Sequence, residues 1–121
     1  PNLIKIPEYE VIHSIAIDKW SLELSQRNPH CPDHAVFCGV KPPIIDDIND
    51  IPKAKNHPYL ILRDIGVILL KESKALEVML RTQAEIFLRV PNKAKLNLLS
   101  DEDYLELINW EAEKFRKKLM Q

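Results

Sequence analysis

Proline and glycine set the strongest limit on what this chain can fold into. Nine of its 121 residues are proline and only two are glycine. Pro29, Pro32, Pro42, Pro43, Pro52 and Pro58 crowd the stretch 29–58, whereas none falls between Tyr59 and Val90. Proline removes a backbone donor and pushes the preceding residue out of the helical region, so regular structure in 29–58 must be short. The chain thus reads as one domain in three parts: a front segment (1–28), a proline-rich connection (29–58) and a helical back part (59–121). Gly39 and Gly66 alone cannot build the phosphate-cradling loops of nucleotide enzymes, which need several glycines at fixed spacing.

The proline-free run predicts a long helix over 59–90. Leu62, Ile65, Leu69, Leu76, Leu80 and Phe87 recur at helical spacing, and Ile61, Ile68, Ala75, Met79 and Ile86 run beside them. Such a wide stripe belongs to a helix buried on much of its circumference. Lys71, Glu72, Lys74, Glu77, Arg81 and Glu85 supply a wet face, and Pro91 ends the element. Gly66 costs a helix about 1 kcal/mol, so it marks a close crossing or a break. The stretch YLILRDIGVILL also reads as the start of a strand.

A second helix is predicted over 100–119. Ser100 can cap its free N–H groups, with Asp103 three residues on. Asp101, Glu102 and Asp103 face the positive end of the helix dipole, and Arg116, Lys117 and Lys118 the negative end. Tyr104, Ile108, Ala112, Phe115 and Leu119 form its apolar stripe, flanked by Leu105. In the front segment Tyr9, Ile12, Ala16, Trp20 and Leu24 fit a helix. The alternation of Val11, His13, Ile15 and Ile17, then Trp20, Leu22 and Leu24, would suit two strands around Asp18-Lys19. The expected fold is mainly α: an antiparallel helical bundle or hairpin with a proline-rich irregular insert. The alternative is α+β with a short N-terminal hairpin.

The stretch NPHCPDHAVFCG holds both cysteines. Cys31, His34 and Cys38 form C-x2-H-x3-C, with ligand types that suit zinc, and a fourth ligand could come from His57, His13 or water. No standard zinc spacing matches, and the neighbours His30 and Cys31 rarely reach one ion together. The expectation is a structural loop leading into the buried segment AVFCGV, with no metal and no cofactor. Cys38 with His34 is the one cysteine–histidine pair to test as a nucleophile. Asp46, Asp47 and Asp50 form a DDxxD pattern of the kind that holds magnesium, but one copy in so short a chain reads as an acidic, solvated turn.

Net charge is -1, so no global basic field attracts nucleic acid or a membrane. Arg89, Lys93 and Lys95, in RVPNKAK, form a basic connection without an aromatic side chain for base stacking. No apolar run has the roughly 18 residues of a membrane helix, no basic-then-apolar leader opens the sequence, and the expected compartment is the cytosol. The stripes exceed what one chain covers, which favours a protein-interaction or regulatory helical module, self-associating as a homo-oligomer or bound to a partner protein. Two other classes stand beside it: a small metal- or Cys/His-dependent enzyme centred on 30–38, and a nucleic-acid-binding accessory protein using the 89–95 connection.

Overall fold

The stretch YLILRDIGVILL folds back on itself. In the computed structural model, which describes residues 4–27, 38, 41–54, 56–90 and 100–120, Tyr59–Leu62 and Gly66–Leu69 are antiparallel strands. Tyr59 pairs with Leu69, Leu60 with Ile68, Ile61 with Val67 and Leu62 with Gly66. The long helix expected over 59–90 is therefore corrected: its first third is a β-hairpin, and the helix begins only at Lys74. The reason lies in burial. All eight strand residues are buried, so the run is apolar on both faces and loses the two-residue alternation that marks a strand. Asp64 takes a left-handed φ of 65° at the turn, which no helix interior allows.

The described elements run as a 3-10 turn (Glu10–His13), α1 (Ser14–Ile17), α2 (Lys19–Ser25), β1 (Ile44–Ile45), a 3-10 helix (Ile48–Ala54), β2 (Tyr59–Leu62), β3 (Gly66–Leu69), α3 (Lys74–Arg89) and α4 (Asp101–Leu119). The protein is mainly helical with one small mixed sheet, in the order β1-β2-β3, β1 being parallel to β2. The hairpin lies at 59–69 and not at the N-terminus. The front segment is helical, which corrects the alternative of N-terminal strands. Asp18 breaks it in two: its backbone is extended, and its carboxylate accepts from the N–H of Ser21 (2.9 Å) and the Ser21 hydroxyl (2.8 Å), capping α2.

The strand pleat sorts the hairpin's side chains into two cores. Tyr59, Ile61, Val67 and Leu69 join the larger one with Ile12, Ile15, Leu24, Leu76, Leu80, Ala84, Phe87 and Ile108. Leu60, Leu62 and Ile68 face the other way, onto Ile45, with Ile51 of the 3-10 helix and Leu70 packed against them. The described part of the proline-rich stretch carries short elements, and one of them closes the back of the sheet. Its acidic residues act separately. Asp46 pairs with Arg63 at 2.8 Å, Asp47 accepts from the Asn49 N–H at 2.9 Å, and Asp50 pairs with Lys53 at 3.4 Å.

Both long helices carry hydroxyl caps. Ser73 accepts from the Leu76 N–H at 3.2 Å, and Ser100 from the Asp103 N–H at 3.1 Å, the cap read from the sequence. Helix α3 stops at Arg89, and Val90 turns extended (ψ 126°), as the residue before Pro91 must. Glu77 corrects the expected wet face: it is buried, with Lys5 Nζ 3.5 Å from its carboxylate, an ion pair too long for a good hydrogen bond. On α4, Ile108 and Phe115 are buried as expected, while Leu119 is exposed. Among the described residues no helix is long and apolar enough to cross a membrane.

Leu80 is fully buried, so Leu80→Ala should cost about 2–5 kcal/mol in urea unfolding. Tyr59 gives a pH prediction. Burial, and secondarily negative charge on Cys38, raise its phenol above the ordinary value of 10.0. Above pH ~10 the unfolded chain therefore releases this proton while the folded chain keeps it. Its contribution is complete below that pH and declines above it, by up to about 1.4 kcal/mol per pH unit. Tyr59→Phe should flatten that alkaline loss, measured as unfolding free energy against pH.

Candidate binding groove

The outer edge of β3 is covered by side chains and by a short extended stretch. Lys5 pairs with Leu69, its N–H donating to the Leu69 carbonyl at 3.0 Å and its carbonyl accepting from the Leu69 N–H at 2.8 Å. One residue pair further along the edge, the Val67 N–H donates to His13 Nδ1 at 3.0 Å. The imidazole takes the place that a strand carbonyl would occupy. Since Nδ1 accepts, a neutral ring carries its proton on Nε2.

Gly66 makes this contact feasible. A Cβ at Gly66 would lie 2.6 Å from His13 Nδ1 and 3.2 Å from Cε1, so any side chain there collides with the ring. The glycine therefore marks both things its sequence position implied, a break in the helical pattern and a close crossing. The Asp64 N–H also donates to the Ala16 carbonyl at 3.1 Å, tying the hairpin turn to α1.

These ties leave an open groove of about 550 Å³ between the front segment and the hairpin turn, lined by Glu10, His13, Ser14, Ile17, Asp18 and Ile65. Its character is mixed. Ile17 and Ile65 are 55% and 66% exposed, a large apolar area to leave in water. Glu10 and Asp18 add two carboxylates, and among the described residues no lysine or arginine lines the groove. Glu10 forms no ion pair among the described residues, while Asp18 commits one oxygen to capping α2. The Ser14 hydroxyl donates to the Val11 carbonyl at 2.7 Å. What it offers is an aliphatic floor with acceptors for positive charge, the chemistry of a site for a cationic, partly apolar segment.

The residues singled out in the sequence lie elsewhere. Cys38 sits in the larger core, 1% exposed, and Cys31 and His34 fall outside the described residues. Among the described residues no three metal-ligating side chains converge. His57 is spoken for locally, its Nδ1 lying 2.8 Å from the Tyr59 carbonyl and its ring edge-on to the Tyr59 ring at 5.3 Å. Arg89 stacks its guanidinium 5.1 Å from the centre of the Phe115 ring, joining α3 to α4. Lys93 and Lys95 lie outside the described residues. The groove itself was missed, because its residues are scattered over 10–18 and 65. Gly66 was the one available signal. Comparison of the chain with protein-family models, with curated proteins and with solved structures finds no match.

A double-mutant cycle tests the His13–Gly66 contact. Gly66→Ala should cost about 1–3 kcal/mol in the native background, since the added methyl displaces the ring from Val67. In a His13→Ala background the same change should cost close to nothing, and equal costs in both backgrounds would contradict the geometry.

Proposed function

We propose that this chain is a protein-interaction or regulatory module that self-associates, with the groove between α1 and the hairpin turn as its docking surface. One observation carries the reading: Ile17 and Ile65 stand more than half exposed beside two carboxylates, in a concavity that no lysine or arginine lines among the described residues. Isolated exposed aliphatics need no explanation, but two that share one concave surface form a patch that association would cover. Two cysteines in a chain of this length favour the cytosol over an oxidising compartment.

The test is mass in solution. Light scattering across a dilution series should show a dimer or larger assembly for the native chain. Ile17→Asp and Ile65→Asp should each shift it toward the monomer, with unchanged helicity because both side chains are already exposed. A native chain that stays monomeric throughout would overturn self-association.

A further inference from the structure

The C-terminal turn of α4 is the chemical complement of the groove. Its last described residues, Arg116, Lys117, Lys118, Leu119 and Met120, are all exposed. Leu119 and Met120 are 63% and 81% exposed, so two large apolar side chains stand in water directly after three cations. Arg116 is partnered by Glu113, one turn back on the same helix, whereas Lys117 and Lys118 make no ion pair among the described residues. The groove shows the inverse: an aliphatic pair, Ile17 and Ile65, with carboxylates at Glu10 and Asp18. Asp64, exposed and hydrogen-bonded through its backbone to α1, adds a third negative charge next to Ile65.

We infer that the groove of one copy receives the C-terminal turn of α4, residues 116–120, from a second copy. Leu119 and Met120 lie against Ile17 and Ile65, and Lys117 and Lys118 meet the carboxylates of Glu10 and Asp18. The last carbonyls of a helix lack intrahelical donors and carry the negative end of its dipole. A neutral His13, with Nδ1 committed to Val67, keeps only a donor, Nε2–H, to offer such a carbonyl. The contact joins two different surfaces, so it closes into a dimer only when both copies exchange their tails; one-way exchange would propagate as a chain. The inference rests on the self-association reading and adds the identity of the occupant.

The experiment uses the full chain and three kinds of variant. Leu119→Asp with Met120→Asp on the tail should weaken self-association by about tenfold or more, as should Ile17→Asp in the groove, since each places a charge at an apolar contact. Glu10→Lys should weaken it as well, and combining Glu10→Lys with Lys117→Glu and Lys118→Glu should restore part of the loss. Association should also weaken as salt rises, as exposed charge pairs do. In addition, a labelled peptide of residues 108–120 should bind the chain carrying Leu119→Asp and Met120→Asp, and should fail to bind it once Ile17→Asp is added. If groove variants dissociate the native assembly while tail variants leave it intact, the occupant is wrong and the groove reading stands. If tail variants dissociate it and groove variants do not, the tail docks elsewhere and the groove loses its role. A native chain that is monomeric at every concentration and binds no peptide overturns both.

Discussion

A hydrogen bond from a strand to a histidine ring holds the two halves of this fold in register. The Val67 N–H needs an acceptor, because β2 uses only the other edge of β3 and a half-buried amide left unpaired costs about 1–3 kcal/mol. His13 supplies one from fifty-four residues away, and can do so only because residue 66 has no side chain. The bond fixes the distance between the front segment and the hairpin. This amide and the Asp64 N–H, which donates to the Ala16 carbonyl, together tie the front segment to the hairpin beside the groove.

The hairpin divides the interior into two unequal parts. Its helical side carries most of the apolar material, gathered from α1, α2, α3 and α4. Its other side holds a small cluster closed by β1 and the 3-10 helix, where Pro52 sits inside the helix and Ile48 is left 61% exposed. Proline explains the thinness of this cover. A segment with so few available donors cannot form a long helix, so it contributes single anchors such as Ile45 and Ile51.

Legibility in the sequence followed the sharpness of the local signal. Helix α4 was readable because a cap, a charge gradient and a 3.6-residue stripe agree over nineteen residues. The end of α3 was readable from Pro91 alone. The hairpin was legible only as the alternative strand start in YLILRDIGVILL, since a strand buried on both faces offers no alternation and its apolar residues coincide with helical spacing. Glu77 was misread for a related reason: its place on the helix face says nothing about Lys5, seventy-two positions earlier, which draws it inward. The groove depends wholly on such long-range meetings. Gly66 alone registered in the sequence, and a lone glycine says that something approaches closely without saying what.

The short stretch around Lys5 has a consequence of another kind. It meets Leu69 through two backbone hydrogen bonds and sends its ammonium to Glu77, so it serves the sheet edge and the first turn of α3 together. Were it pulled away, the Leu69 N–H and carbonyl on the outer rim of β3 would lose their partners while Val67 kept His13, and an uncovered strand edge is a template for stray pairing. Glu77 would at the same moment lose its ion pair with Lys5, the one it makes among the described residues. The two penalties arise together, so detachment of this strip resembles the opening of a latch more than the fraying of an end. The cover of one strand edge and the counter-charge of one buried carboxylate are therefore held at the same residue, the first by its backbone and the second by its side chain.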